Sequence, residues 1–428
     1  MPRRPPLVTL LVATLVLSLV GTPPRAFAAT ASAHTMAKPS DWPELPQATW
    51  KLDSARVAIV HSVLLQRDAA SIVLEEEGRV ALARPLGGHD VAIVFSGHGT
   101  LAFTPPNSIE REQLRRFMGV RALRKTFRSL VLVATDSTFA ELLPGLEFHA
   151  DTVRSLARAW RDGLPYLEKN EDLRQAIVDR EPGLFWAAAW SPAQDPLFLF
   201  IDPFAVERVQ LWRTPEGSRL GLWNRHVHET VCQFRAQGDT DTTRFDLRPP
   251  YRAEHYAISL TFASDLHVDV SADVSVRALG RARSWFTFDM AATLALDSVS
   301  LAGVAQKFET DRETGRIWVH TAAPVPADEL RSFRFRYHGT MFERDADRIY
   351  TPEPIGWYPT AWYGGDATWD LSFRCPRAYQ LLAPGRRVAS AFVGEELTSH
   401  WVVERAVPWA SFDVSFLRGL QEIGRAHV

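Results

Sequence analysis

The sequence contains little cysteine, little lysine and no long apolar segment beyond its first residues. Its 428 residues include two cysteines, Cys232 and Cys375, which could form one disulfide but no disulfide framework. Five of its 48 basic residues are lysine, and the formal net charge of −2 gives no reason to expect nucleic acid or an anionic membrane as a partner. No segment after residue 28 reaches the roughly 20 apolar residues that a membrane-spanning helix needs.

The first 28 residues have the pattern of an export signal. Arg3 and Arg4 precede the apolar run LVTLLVATLVLSLVG, and AFAATASA follows with small residues at A-x-A spacing. The apolar run is shorter than the roughly 20 residues of a spanning helix, which favours a signal peptide cleaved after Ala28 over a membrane anchor. We therefore predict an exported protein, periplasmic or extracellular, without a membrane span after cleavage.

The distribution of strand and helix patterns predicts a mainly β protein with some α. Residues 29–50 are small and polar and indicate a linker. Residues 51–225 mix short β-branched runs with helical segments, as an α+β accessory domain would. Residues 253–421 are nearly all short strand patterns, which predicts a β-sandwich-like domain of several sheets. The polar residues 226–252 form the junction.

Local signals place several elements in the accessory domain. The stretch VAIVFSGHGTLAF predicts a β-hairpin with glycines in its turn. In NSIEREQLRRFMG, Asn107 and Glu110 have the spacing of a helix capping box. A second helix is predicted in DTVRSLARAWRDG, from a cap at Asp151 to a stop at Gly163. The segment EDLRQAIVD predicts a third.

The stretch HVHETVCQFR contains a near match to a zinc-protease signature. His228, Glu229 and Cys232 stand one residue away from H-E-x-x-H, in which two histidines on one helix face bind zinc and the glutamate activates water. The sequence ETVCQF favours a strand, which would separate the first and last side chains, and no third ligand pattern follows. We interpret it as a surface strand with a half-buried cysteine. We predict no catalytic, cofactor-binding or metal residue in the chain.

Five aromatic residues cluster in the second predicted domain. They are Trp357, Tyr358, Trp362, Tyr363 and Trp369. Such rings could form a platform for a sugar or a peptide. They could equally fill a core or a domain interface, where each ring buries a large area. The packing interpretation is favoured.

The segment WYPTAWYGGDATWDLSFRCPRAYQLLAPGRRV, residues 357–388, resembles the N-terminal β-domain of aminopeptidase N-like zinc metallopeptidases, peptidase family M1. It has an aromatic-proline segment at Trp357 and Pro359, then Ala-Thr-aromatic-Asp-Leu at 367–371. HYAISLTFASDLHVDVSADVSVRA is similar to the family's opening hairpin and RSFRFRYHG to a later strand. WVVERAVPWASFDVSFLRG looks like the strand pair that leads toward the catalytic domain. Residues 51–225 resemble, less specifically, an accessory domain of exported bacterial relatives.

This resemblance implies the non-catalytic part of an enzyme. The family's signatures G-x-M-E-N and H-E-x-x-H with a distal glutamate are absent from the sequence, so no catalytic residue carries over. The resemblance implies an N-terminal fragment of an exported zinc aminopeptidase-like metallopeptidase, inactive by itself. Its partner would be its own catalytic domain, which would hold the zinc and the peptide substrate. The competing hypothesis is a complete secreted binding module for glycan or peptide.

Two further expectations concern the end of the chain. A supporting domain should present an uncovered apolar face, which we expect around Phe412, Phe416 and Leu417. The last residues, EIGRAHV, resemble a translated sequencing-adapter oligonucleotide. We therefore expect residues 422–428 to be an artefactual tail and the authentic sequence to end near Gln421 or Glu422.

Overall fold

The first half of the described chain is an antiparallel sheet of ten strands with helices packed against it. The computed structural model describes residues 51–415, apart from 87, 169–170, 193, 195, 215–228, 241–246, 313, 346–347, 351–355 and 362–364. The strands of this sheet are β1 (Leu52–Ile59), β2 (Val63–Arg67), β3 (Ala70–Leu74), β4 (Arg79–Ala83), β5 (Ala92–Phe103), β6 (Leu123–Ala134), β7 (Phe185–Trp190), β8 (Leu197–Ile201), β9 (Val209–Arg213) and β10 (Glu229–Phe234). Their order is β1-β4-β5-β6-β7-β8-β9-β10, and the hairpin β2–β3 joins through β3 to β5.

The helices of this half lie between β5 and β7. They are α1 (Ser108–Met118), α2 (Thr138–Leu142), followed by a 3-10 turn (Leu143–Gly145), α3 (Arg154–Glu168) and α4 (Glu171–Asp179). The cap of α1 is confirmed, because the Asn107 side chain accepts the Glu110 amide at 2.8 Å and Gly119 ends the helix at φ 76°. The Glu110 carboxylate accepts the amide of Gln233 instead of closing the capping box, and so ties α1 to β10.

Two predictions from glycine were wrong, and close packing is the reason in both. The stretch SGHG lies inside the continuous strand β5, where a Cβ on Gly99 would stand 2.3 Å from the Phe127 ring. Gly163 lies within α3 instead of ending it, and a Cβ there would stand 2.6 Å from Val131 Cγ2. The absence of a side chain at these glycines lets a neighbouring side chain pack directly against the backbone. From the sequence alone, a glycine indicates only a turn or the end of a helix.

The second half consists almost wholly of strands in three sheets. The strands are β11 (Tyr251–Phe262), β12 (His267–Ala278), β13 (Arg283–Asp289), β14 (Leu294–Leu301), β15 (Val304–Ala305), β16 (Lys307–Thr310), β17 (Arg316–Val325), β18 (Leu330–Thr340), β19 (Glu343–Asp345), β20 (Arg348–Tyr350), β21 (Thr360–Ala361), β22 (Ala367–Pro376), β23 (Gln380–Leu382), β24 (Arg386–Val393), β25 (Glu396–Val407) and β26 (Asp413–Ser415). The large sheet has the order β15-β14-β18-β12-β11-β22-β25-β24. Two four-stranded sheets have the orders β16-β17-β13-β21 and β19-β20-β26-β23.

One parallel pair joins distant parts of the large sheet. β11 and β22 run parallel from His255 opposite Thr368 to Thr261 opposite Arg374, while the other pairs of this sheet are antiparallel. A parallel pair requires a long crossover, and here the crossover consists of β12 to β21. Along β22 every second residue is buried, and the polar residues between them are half-buried or, at Arg374, exposed. This alternation is that of a sheet with one face against the core and one face toward solvent.

The prediction of a mainly β chain with some α is confirmed. The chain divides by its internal contacts into Met1–Trp42 and Pro43–Val428, and all the described residues belong to the second, compact unit. One hydrophobic core cluster contains both Trp186 and Phe198 of the first sheet and Phe288 and Trp369 of the second half. The finer domain bounds, 51–225 and 253–421, stay a prediction. Among the described residues, no helix has the length and apolar character to cross a membrane.

Candidate functional site

The described part of the near match to a zinc signature lies on a strand, as predicted. Glu229 and Cys232 belong to β10, while His228 lies outside the described residues. Glu229 accepts the Arg213 Nε–H at 2.6 Å, and the Cys232 thiol donates to the Glu110 carbonyl at 3.4 Å. These two side chains are therefore engaged in separate local contacts. Within the described ranges no group of three histidine, cysteine or carboxylate side chains is placed to hold a metal ion.

The two cysteines are not bridged, in contrast to the disulfide that the sequence allows. Cys232 lies on β10 of the first sheet and Cys375 on β22 of the large sheet, and both are free and buried. Cys232 is 2% exposed, which is deeper than the half-buried position expected for it. Burial, together with the neighbouring Glu110, raises the pKa of the Cys232 thiol to about 12. Burial and Glu396 raise that of Cys375 to about 12.

Both thiols are therefore expected to resist modification in the folded protein. A thiol reacts as its thiolate, which is scarce at pH 8 when the pKa is raised and the group is buried. Incubation of the chain with Ellman's reagent at pH 8 should release almost no thionitrobenzoate, whereas denaturation in guanidinium without reductant should expose two thiols per chain. If no thiol were detected after denaturation, the result would show that Cys232 and Cys375 form a disulfide.

Three rings of the predicted aromatic cluster lie in the core beneath the large sheet. Trp357 and Trp369 are each 1% exposed and Tyr358 is 2% exposed. The Trp369 ring stacks on Tyr256 at 4.2 Å between centroids, and Tyr358 meets it edge-on at 4.9 Å. The Trp357 indole N–H donates to the Ala410 carbonyl at 2.9 Å. Trp362 and Tyr363 lie outside the described residues.

These contacts fix the aromatic segment in a packing position. A platform for sugar or peptide needs ring faces open to solvent, and the three described rings offer none, because other side chains cover them. Their arrangement instead joins β22 to the loop that precedes it and to the segment before β26.

Phe412 does not contribute to an uncovered apolar face, so the expectation for this residue was wrong. It is 5% exposed, and its ring lies 4.8 Å from that of Phe373 and 5.0 Å from that of Trp357. The aromatic core thus includes the residue directly before the last described strand, β26. Trp409, three residues earlier, is 61% exposed. Phe416 and Leu417 lie outside the described residues.

A cluster of four charged residues connects the two halves of the chain; we call Asp179, Glu181, Arg281 and Arg283 the junction cluster. The Arg283 guanidinium donates to Asp179 at 2.9 Å and to Glu181 at 2.6 Å. Arg281 donates to the Glu181 carboxylate at 2.8 Å and to the Asp179 carbonyl at 2.7 Å. Asp179 is the last residue of α4 and Glu181 lies two residues beyond it. Arg283 is the first residue of β13 and Arg281 lies two residues before it, about 100 residues later in the sequence.

The end of α4 sets the positions of both acids. The Glu181 amide bonds the Ala176 carbonyl at 2.7 Å and the Arg180 amide bonds the Ile177 carbonyl at 3.1 Å, with Arg180 at φ 53°. This pattern is a Schellman termination with a non-glycine residue in the left-handed region. The turn directs the Asp179 and Glu181 carboxylates to the same guanidinium, and Gln175 of the same helix donates to Asp179 at 3.0 Å.

Two of the four residues of the junction cluster are buried, and this burial affects the pKa values of the acids. The side chains of Asp179 and Arg283 are 2% and 4% exposed. Burial raises the pKa of Asp179, against the lowering effect of Arg283 and Arg281. Burial also acts to raise the pKa of Glu181, but hydrogen bonds from Arg283 and Arg281 bring it below its usual range. The cluster holds the buried Asp179 and the half-buried Glu181 between two arginines, and its ion pairs join α4 of the first half to the start of the second half.

A cleft of ≈ 650 Å³ lies beside the junction cluster, lined in part by Asp90, Asp136 and Arg180. Arg56 donates to Asp90 at 2.8 Å, and Arg67 lies 2.8 Å from Asp136. Each carboxylate of the cleft is thus neutralised by its own arginine. The exposed His89 also lines the cleft.

Sequence reasoning missed the junction cluster. Isolated Asp, Glu and Arg residues are ordinary surface composition, and no local pattern distinguishes the four that pair with one another here. The sequence REPG at 180–183, a polar run that separates two apolar segments, was a local signal at this place. That signal predicts a turn and does not identify a partner 100 residues away.

Comparisons with known proteins find likeness at the level of structure. No protein family and no curated protein matches the chain by sequence. The chain is similar to a solved M1 zinc metallopeptidase from Deinococcus radiodurans, at 17% identity and a TM-score of 0.35, over 39% of this chain and 42% of that one. A mutant M1 zinc metallopeptidase from the same organism, bound to a Tyr-Ser-Ala substrate, gives 17% identity and a TM-score of 0.36, over 39% and 43%. The chain thus spans less than half the length of these solved structures.

Proposed function

We propose that this chain is the non-catalytic N-terminal part of an exported, zinc-dependent aminopeptidase-like metallopeptidase. In this proposal the zinc, the H-E-x-x-H residues and the peptide substrate belong to a catalytic domain that is not part of this sequence. That domain is the proposed partner of residues 253–421, which would form a rigid wall beside its substrate cleft. The accessory half, residues 51–225, would be fastened to that wall through the junction cluster.

The observation that carries the proposal is the assembly of the resembling segments into one sheet. The opening hairpin β11–β12, the strand β18, the Ala-Thr-Trp-Asp-Leu strand β22 and the strand β25 are consecutive in the order β18-β12-β11-β22-β25. They come from positions as far apart as residues 251 and 407. Segments that resemble one family in sequence order thus form one connected surface, as the parts of a single module would.

The alternative, a complete binding module, has less support. In that hypothesis the aromatic cluster binds the glycan or peptide, but its three described rings are covered by other protein groups. Buried rings contribute packing energy and cannot stack on a ligand. The supporting-domain proposal needs only a rigid sheet, which the continuous core beneath β22 supplies.

The chain by itself is expected to bind no stoichiometric zinc and to cleave no aminoacyl substrate. A catalytic zinc needs three assembled protein ligands and a polarised water, and the sequence has no complete H-E-x-x-H. Metal analysis after dialysis and hydrolysis of aminoacyl p-nitroanilides measure both properties. Zinc at one equivalent in the unmodified chain, lost in His228→Ala, would contradict this prediction.

The decisive test is the source genome beyond the codon for Gln421. The proposal expects the reading frame to continue into G-x-M-E-N and H-E-x-x-H. Co-expression of that downstream domain with this chain should then give a zinc-dependent aminopeptidase, whereas the downstream domain alone should be less stable or inactive. A frame that continues without these signatures would exclude the proposal.

A further inference from the structure

The edge strand β24 is fully exposed along its length. It is the outermost strand of the large sheet, and among the described strands it pairs with β25 alone. All eight of its residues are exposed, including Phe392 at 58% and Val393 at 61%. Natural proteins usually protect such an edge with charged side chains, proline, a bulge or a covering segment. In RRVASAFV the two arginines and a bulge lie at its start, and residues 389–393 contain no charge and no proline.

The turn of the β24–β25 hairpin determines which backbone groups are free. Val393 pairs with Glu396 across the two-residue turn, and Gly394 has φ 62°. In a two-residue hairpin the closing pair is hydrogen-bonded, and bonded and non-bonded pairs then alternate along the ladder. Val393 and Ala391 therefore bond to β25, which leaves the N–H and C=O groups of Ser390 and Phe392 directed away from the sheet.

We propose that two copies of this chain associate by antiparallel pairing of their β24 strands, with Ala391 opposite Ala391 of the partner copy. In this register Ser390 lies opposite the partner's Phe392, and these residues exchange the outward backbone hydrogen bonds. Ala391 then falls at a non-hydrogen-bonded pair, where side chains come closest and a methyl group fits. The two large sheets become continuous across a two-fold axis, which is an isologous and therefore closed contact.

Charge favours a second copy in this orientation. The antiparallel register keeps the start of β24, with Arg386 and Arg387, away from the partner's arginines and turns it toward the partner's Glu395. Arg386 and Glu396 are each already paired within their own copy, with Glu404 and Arg374. A parallel arrangement would place the arginine pairs of the two copies side by side. Opposite charges across strands stabilise pairing and like charges oppose it.

The contact is confined to the regular part of the strand. The register of β24 against β25 shifts between Arg387 and Ala389, and a bulge of this kind twists an edge out of line. Arg386 is paired with Glu404 at 2.7 Å, and Arg387 lies over the Trp401 ring at 5.5 Å. Pairing therefore extends over residues 389–393 of each copy, which makes a small interface and a reversible dimer.

A cysteine cross-link tests the register. Ala391→Cys places two thiols across a non-hydrogen-bonded pair with Cα atoms about 4.5 Å apart, within disulfide range. Under mild oxidation the full chain carrying Ala391→Cys should run as a covalent dimer on non-reducing gels. The matched variant Ala389→Cys should stay monomeric, because its two Cα atoms would lie roughly 13 Å apart at 3.3 Å per residue. The native thiols are buried and should not contribute.

Sedimentation velocity on the chain without an introduced cysteine measures the dimer fraction independently. The dimer fraction should rise with concentration and fall at least tenfold in Ser390→Pro, which removes an outward donor, and in Phe392→Lys, which adds a charge to the edge. Thermal melts verify that both variants are folded. A monomer at all concentrations, equal cross-linking of the Ala389→Cys control, or an unchanged dimer in both edge variants would overturn the proposal.

Discussion

Replacement of Arg283 by methionine is expected to lower the free energy of unfolding by about 3–5 kcal/mol, because it leaves Asp179 buried without its principal counterion. Arg283 is 4% exposed on its side chain and donates to Asp179 at 2.9 Å and Glu181 at 2.6 Å. Methionine retains much of the side-chain volume, so the loss measures charge and hydrogen bonding more than a cavity. Urea denaturation followed by tryptophan fluorescence measures it.

A second arginine–aspartate pair in the same half supplies the control. Arg334 donates to Asp273 at 2.7 Å between β18 and β12, but the two side chains are 54% and 33% exposed. Exposed ion pairs contribute about 0–1 kcal/mol because water solvates the separated charges. Arg334→Met should therefore change the midpoint of urea denaturation little. Equal losses in Arg283→Met and Arg334→Met would show that burial of the junction cluster has no energetic consequence.

The same variant distinguishes attachment from general stability. Because the junction cluster links α4 to β13, Arg283→Met should increase proteolysis in the segment between β10 and β11 before the sheets themselves unfold. Limited digestion with mass spectrometry identifies the first cut. A first cut elsewhere, with the segment 235–250 intact, would assign the cluster to overall stability only.

Local patterns predicted the elements whose causes are local. Helix α1 begins after the Asn107 cap and ends at Gly119, and the contacts that cap it lie within a few residues of each end. The alternation of apolar and polar residues along β22 could be recognised in the sequence because every second side chain contacts the core. Local composition also predicted the strand at Glu229 and Cys232, where β-prone residues outweighed a near match to a five-residue motif.

The failures came from contacts between distant residues. Gly99 meets the Phe127 ring and Gly163 meets Val131, and neither neighbour could be known from the glycine's own surroundings. Phe412 was expected at an open face because a domain that supports a catalytic domain should leave an apolar surface uncovered near the end of the chain. It is instead buried against Phe373, which comes from a strand almost forty residues earlier. A single sequence gives the patterns of single strands and helices but no pairing between them.

The aromatic cluster gives the second large effect: Trp369→Ala is expected to cost about 3–5 kcal/mol of unfolding free energy, the usual cost of removing a buried tryptophan. Trp369 is 1% exposed and contacts the rings of Tyr256 and Tyr358. Its loss removes a stacked pair at 4.2 Å and leaves a cavity next to the parallel pair β11–β22. The large sheet is joined there to its first hairpin, so the cavity weakens the sheet at its centre.

Trp409→Ala is the matched control, because Trp409 is 61% exposed in the same half of the chain. A surface substitution without buried contacts should change stability by about 0.5 kcal/mol or less. Both variants should be melted and also tested for retention on glycan and peptide matrices. A supporting domain predicts a large loss of stability for Trp369→Ala and no specific retention by the unmodified chain. Retention that disappears in Trp369→Ala at unchanged stability would instead identify the cluster as a ligand platform and return the chain to the binding-module hypothesis.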